Sequence, residues 1–240
     1  MTEIIPAIIP ESFYDLEDQM ALVDGLTNSI QIDVCDGIFV PSKSWPYTTD
    51  KENNFEKIIN EELDFPFWKT LDFEVDLMVS NPENIVEDWI RIGANRVVLH
   101  LESTPNMKDL ITDLRNKYGW FGESTLAVEI GIAINVNTPI EKIFEYLDTH
   151  SSNGRSLVDF VQFMGIREIG YQGQFFDERV IGRIRDLRQA YPEVIISVDG
   201  GVKLENAHEI VEAGVNRLVS GSAIFESENI KDTIDQLKSF

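Results

Sequence analysis

Two short apolar, β-branched runs near the end of the chain finish in small residues: Ile196-Ser197-Val198-Asp199-Gly200-Gly201 and Leu218-Val219-Ser220-Gly221-Ser222. A run of this kind reads as a buried strand, and glycine at its end lets backbone N–H groups approach an anion with no Cβ in the way. Asp199 projects at the same rim. A third run, Gln31-Ile32-Asp33-Val34-Cys35-Asp36-Gly37, also ends in carboxylates. Strand alternation puts Gln31, Asp33 and Cys35 on one face. Asp76 and Met78 share a face of another run, while His100, Asn135, Met164 and Asp199 stand near the ends of four more. A polar group pointing into a packed interior is costly unless paired, so several at one rim mark a site. Acids beside an anion grip imply acid–base work on a sugar phosphate.

Plainer roles suit some of these residues. Asp36 precedes Gly37 and reads as an acceptor for turn amides. Met78 and Met164 read as walls, and His150 and His208 as solvated side chains. His100 reads equally as a core histidine or a site member. Arg167 and Lys203 lie within reach of the anion region, but a solvated surface role is their default. Asp33 and Asp199 exceed the ordinary strand-end acid because they are read as inward-facing, on opposite sides of the molecule.

The elements that position these residues alternate strictly. Strands are predicted at 4–9, 29–35, 73–79, 96–101, 126–135, 158–164, 194–199 and 217–221. Amphipathic stretches with apolar residues at helical spacing lie between them, as in Ile85, Val86, Trp89, Ile90 and in Val180, Ile181, Ile184, Leu187. Thr138-Pro139-Ile140-Glu141 reads as a capped helix start. Asn81-Pro82 and Thr104-Pro105 read similarly, and Gly93 and Gly214 stand where helix stops belong. Residues 37–53 read as an extended loop over the mouth. Eight strand–helix pairs predict a parallel sheet closed into a (β/α)8, or TIM, barrel, as a single domain over 1–240.

Composition sets outer limits. The 240 residues and a 43% hydrophobic share suit one such barrel. The net charge of −22 argues against nucleic acid or an anionic membrane as partner. An anionic ligand must then be held locally by backbone amides, the distant surface charge being screened over roughly 8–10 Å. One cysteine, Cys35, excludes an intramolecular disulfide and a CxxC metal site. No run has the form of a signal peptide or a bilayer span, so a cytoplasmic location is expected.

Nearly the whole chain resembles the ribulose-phosphate 3-epimerase family. The matching pieces are Asp33-Val34-Cys35-Asp36-Gly37 with Phe39-Val40-Pro41, Leu77-Met78, Asn81-Pro82, His100-Leu101-Glu102, Asn135, Met164 with Gly170-Tyr171-Gln172-Gly173-Gln174, Val198-Asp199-Gly200-Gly201 and Gly221-Ser222-Ala223-Ile224-Phe225. The resemblance implies proton transfer at C3, one aspartate removing the proton of D-ribulose 5-phosphate and another returning one to give D-xylulose 5-phosphate. Asp33 and Asp199 match those two acids. Gly173, Gly200, Gly201, Gly221 and Ser222 match the phosphate cradle, with Met78, Met164 and Asn135 beside the sugar. Family members are often oligomers, which leaves a homo-oligomer open here.

The departures fall on the metal that the resemblance implies. Gln31 and Asp76 stand where the family has metal-binding histidines, Ala7 where it has serine, Cys35 where it has methionine, and Arg167-Glu168-Ile169 lengthens the glycine loop. Gln31, Asp33, Asp76 and Asp199 would form an all-oxygen set, favouring Mg²⁺ or Mn²⁺ over Zn²⁺. Without a metal, three facing carboxylates would repel, and one would stay protonated as a hydrogen-bond donor. Decarboxylation of a sugar acid, as in related barrels, would need a lysine where this chain has Cys35. A binding homologue without activity would need neither acid.

Overall fold

The computed structural model describes residues 2–118, 128–151 and 154–240. Among them, eight parallel strands close into a barrel in sequence order. They are β1 Glu3–Ile8, β2 Ser29–Cys35, β3 Asp72–Met78, β4 Arg96–His100, β5 Glu129–Ile134, β6 Phe160–Met164, β7 Ile195–Asp199 and β8 Arg217–Ser220. The predicted strands match these within about two residues; positions 126–127 of the fifth lie outside the described residues. Around them run α1 Phe13–Val23, α2 Asn54–Ile59, α3 Val86–Arg91, α4 Met107–Tyr118, α5 Glu141–Asp148, α6 Arg179–Ala190, α7 Leu204–Glu212, α8 Ser222–Phe225 and α9 Ile230–Lys238.

The strands are buried almost throughout, as a parallel sheet covered by helices requires. The main apolar core lies between sheet and helices and includes Leu16, Trp89, Ile111, Ile143, Ile184 and Leu237. Closure rests on β1 pairing with β8, Glu3 opposite Arg217 through Pro6 opposite Ser220. Register then sets the chemistry. Asp33 pairs beside Asp76 across β2 and β3, and Met164 beside Asp199 across β6 and β7. At the other end, where the strands begin, Arg96 bonds Glu3, Glu74 and Glu129, and Arg217 bonds Glu3 and Glu129.

Helix starts differ from the sequence reading in informative ways. At Thr138-Pro139, α5 begins only at Glu141, with no side-chain cap, because the Thr138 hydroxyl donates to Glu102 instead. Asn81 adopts a left-handed conformation, φ 56°, and leads into a 3₁₀ turn at Pro82–Asn84 before α3. Thr104 Oγ1 accepts from Asn106 N at 3.3 Å, just before α4. The side-chain caps lie elsewhere, at Ser12 for α1 and Asn229 for α9. Gly93 and Gly214 do end their helices, at φ 110° and 111°.

The segment 37–53 has two separate attachments. Val40 packs over Cys35, Met78, Met164 and Ile166 at the mouth. Further on, Trp45 is fully buried, its ring 5.3–5.9 Å from those of Phe55, Trp89 and Phe13. Only the first part covers the mouth; the second is locked into the helix layer.

Candidate active site

At the carboxyl ends of the strands, Asp33, Asp76 and Asp199 converge. All three are buried, and one oxygen from each lies within 4.8 Å of the others. The barrel corrects one expectation about them. β2 and β7 do not face each other across a diameter, because only β1 and β8 separate them on the short way round. The acids therefore flank one wedge of the interior.

Gln31 fills the space between the pair. Its Nε2 donates to Asp33 Oδ1 at 2.7 Å and Asp199 Oδ2 at 2.8 Å. An ionised carboxylate only accepts, so the amide presents nitrogen rather than the oxygen a cation would need. Gln31 thus enters the cluster as a donor, unlike its predicted role as a metal ligand. Asp76 accepts from His100 Nε2 at 2.9 Å and from Gln162 Nε2 at 3.2 Å. His100 is fully buried. Burial opposes its charge, but the Asp76 carboxylate outweighs burial and raises its pKa.

Burial dominates the electrostatics of the acid pair. Loss of solvent, then the charges of Asp199 and Asp76, holds the Asp33 carboxyl well above its ordinary range. Burial and then Asp76 push Asp199 up to about 7, while the Gln31 bond pulls it back. A carboxyl whose proton is held more tightly folded than unfolded stabilises the fold below the unfolded value, and that contribution is lost as pH rises through the folded value. For Asp199 the window runs from about 3.8 to about 7. In chelator, Asp199→Asn is expected to flatten the fall in melting temperature between pH 4 and 7.5; calorimetry across that range, giving parallel slopes for both proteins, would count against it.

A narrow cleft, with about 40 Å³ of free volume, opens beside the acids. Asp33, Asp199, Met78 and Met164 line it together with Gly173, Gly200, Gly201, Gly221 and Ser222. No lysine or arginine is among its lining residues, so an anion there would meet neutral donors. Gln172 reaches into the same cleft and donates from Nε2 to the Ala7 carbonyl at 2.9 Å.

Other predicted positions lie apart. Asn135 does not line the cleft; its amide N–H bonds Glu102 and its carbonyl accepts from Arg183 at 3.0 Å, because the chain turns there toward α5. Asp76 is shut behind the acid pair. Asp36 accepts from the amides of Ile38, Phe39 and Ser80, tying two loops together. Arg167 pairs with Asp177 at 2.7 Å, and Lys203 lies 6.0 Å from the Phe175 ring. His208 is exposed beside Glu212, and His150 bonds the Asp148 carbonyl.

Three positioning contacts escape sequence reading. Ser44, fully buried, donates to the Asp33 carbonyl at 2.7 Å and accepts from Cys35 N at 2.8 Å. Gln162 and Ser197, both fully buried, join the acid cluster from β6 and β7. An uncharged polar side chain among the apolar residues of a strand was the signal available for these two.

A model of the ribulose-phosphate 3 epimerase family matches residues 3–225. The chloroplastic ribulose-5-phosphate-3-epimerase of Arabidopsis thaliana is 31% identical over 244 residues, covering 98% of this chain and 76% of that one. The ribulose-phosphate 3-epimerase of Synechocystis sp. is 30% identical over 239 residues, covering 96% and 90%. In three dimensions, 3-keto-L-gulonate-6-phosphate decarboxylase from Vibrio cholerae superposes with a TM-score of 0.64 at 13% identity, covering 100% of this chain and 95% of that one. For 3-hexulose-6-phosphate synthase from Salmonella typhimurium the TM-score is 0.62 at 13% identity, covering 99% and 97%. These two likenesses concern the fold alone. With a family match running from β1 through α8 and sequence relatives at 30–31% identity, the chain belongs to the ribulose-phosphate 3-epimerase family.

Proposed function

We propose that this chain interconverts D-ribulose 5-phosphate and D-xylulose 5-phosphate, or a related ketose phosphate pair, by proton transfer at C3. The observation that carries this reading is the acid pair in the cleft: Asp33 and Asp199, both lining it, bridged by the Gln31 amide and, among the described residues, unpaired with any arginine or lysine. Burial and the repulsion of neighbouring carboxylates keep proton affinity high in this pair. A shared proton leaves one carboxylate to abstract and one carboxylic acid to deliver. Two such groups flanking a planar enediolate are what inversion of a carbon acid requires. The glycine-rich rim would hold the phosphoryl group through backbone N–H donors, and Met78 and Met164 would wall the carbon chain.

Members of this family generally use a divalent ion, and the residues present fit one. Three buried carboxylate oxygens within 4.8 Å of one another form a hard donor set, suited to Mg²⁺ or Mn²⁺. Asp33, Asp76 and Asp199 would hold it, and when bound it would neutralise charge developing on the enediolate oxygens.

Incubation with D-ribulose 5-phosphate in D₂O, followed by NMR, tests the reading. Deuterium is expected to enter at C3 and D-xylulose 5-phosphate to accumulate. Loss of exchange in chelator, restored by Mg²⁺ or Mn²⁺, supports the ion; exchange in chelator removes it from the mechanism. No exchange with any added ion, while sugar phosphates still raise the melting temperature, would overturn the epimerase reading and make the chain a binding protein.

A further inference from the structure

Behind the acid pair lies a line of hydrogen bonds running in one direction. Ser197 Oγ donates to Gln162 Oε1 at 3.1 Å. Gln162 Nε2 donates to Gln31 Oε1 at 3.3 Å and to Asp76 Oδ2 at 3.2 Å, with a longer contact of 3.5 Å to Asp199 Oδ2. Gln31 Nε2 then spends its two N–H groups on Asp33 and Asp199. Gln31, Gln162 and Ser197 are all fully buried, so no solvent can substitute for a missing partner.

We propose that Gln31 is a fixed bridging donor that sets the spacing and orientation of the two acids, and that Gln162 and Ser197 are positioning residues that keep its nitrogen turned toward them. A carboxamide has two orientations of similar shape but opposite polarity. The Asp76 carboxylate accepts from the nitrogen of Gln162, which turns the Gln162 oxygen to Ser197, whose hydroxyl satisfies it and holds the amide in place. The Gln162 nitrogen engages the oxygen of Gln31, which leaves the Gln31 nitrogen between the acids. Reversing either amide would set oxygen against carboxylate oxygen and leave buried donors unpaired, the costly direction of the hydrogen-bond balance. Asp33 Oδ1 and Asp199 Oδ2 are thereby committed to Gln31. Their second oxygens, with no hydrogen bond among the described residues, remain for chemistry in the cleft. Gln31 does not line the cleft; its influence passes through the acids, that of Gln162 through Gln31 and its own contacts with Asp76 and Asp199, and that of Ser197 through Gln162.

The kinetic test rests on the epimerase reading, and a spectroscopic test does not. For C3 exchange, Ser197→Ala and Gln162→Leu are each expected to lower kcat about tenfold while KM stays within about twofold. Ser197→Thr, which keeps the hydroxyl, should recover most of that loss. In a Gln31→Leu background the Ser197 and Gln162 changes should each cost markedly less than in the native protein. Independent multiplication of the losses, an equal fall for Ser197→Thr and Ser197→Ala, or unchanged kcat would overturn the proposal. In the protein without substrate, the ¹⁵N side-chain amide signal of Gln31 is expected to move in Ser197→Ala, although Ser197 reaches it through the Gln162 amide rather than by direct contact. A Gln31 signal unmoved in Ser197→Ala would overturn it as well. This measurement holds even where wild-type protein shows no exchange, and Ser197→Ala and Ser197→Thr serve should Gln162→Leu fail to fold.

Discussion

Asp33→Asn and Asp199→Asn are each expected to lower kcat for C3 exchange by about 10²–10⁴-fold, the usual contribution of a positioned acid or base. KM should change far less, because the glycine rim that would anchor the phosphoryl group is untouched. Neither variant should lose its fold. Both carboxyls carry a raised proton affinity whose leading cause is burial, so a neutral side chain of the same shape relieves a desolvation cost. Melting temperatures at pH 7.5 should equal or exceed that of the native protein. A mild kinetic effect from both substitutions, measured under saturating sugar phosphate, would remove the two-acid assignment. A large effect from only one would leave a single base exchanging its proton with solvent.

Gly201→Ala should weaken binding of a sugar phosphate more than tenfold while lowering the melting temperature by about 2–8 °C. Gly201 sits at φ 71°, where a residue with a Cβ costs roughly 1–2 kcal/mol. That Cβ would also lie 2.7 Å from the backbone nitrogen of Phe176 and 2.8 Å from its Cα. Backbone atoms cannot rotate aside as a side chain can, so the segment after β6 would have to shift. Gly173 on that segment lines the cleft opposite Gly201, and the shift separates the two. Titration calorimetry with D-ribulose 5-phosphate measures the loss; native affinity in a fully folded Gly201→Ala protein would show that the ligand anchors elsewhere.

The barrel was legible because each strand is a short apolar run with its own punctuation, and eight such runs leave one closed arrangement. The acids Asp33, Asp76 and Asp199 were legible because charge inside a strand is expensive and therefore visible. Gln162 and Ser197 carry no charge, and a single uncharged polar residue in Phe160–Met164 or Ile195–Asp199 looks like an ordinary variation in a buried strand. Their meaning comes from β2, more than a hundred residues earlier in the chain. The relation between Asp33 and Asp199 was hidden for a similar reason: sequence distance suggests opposite walls, whereas pairing of β1 with β8 brings the two strands near each other. At Thr138 the local pattern named a cap, but Glu102 on another loop took the hydroxyl. The segment 37–53 read as a loop, yet nothing in its own sequence says that Ser44 will hold the Asp33 backbone.

The interior of the barrel is electrically lopsided. At the floor, the two guanidinium groups of Arg96 and Arg217 are shared among Glu3, Glu74 and Glu129, so positive and negative charge meet there in rigid company. The ceiling holds three carboxyls with no guanidinium of their own, only amides and one imidazole. Positive charge is thus parked at the end away from the cleft, and the open end keeps an unmet demand for protons or a small cation. Charge pairing and the acid-lined cleft occupy opposite poles of one cylinder, which lets the cleft change its ligands without loosening the pole that keeps the cylinder shut.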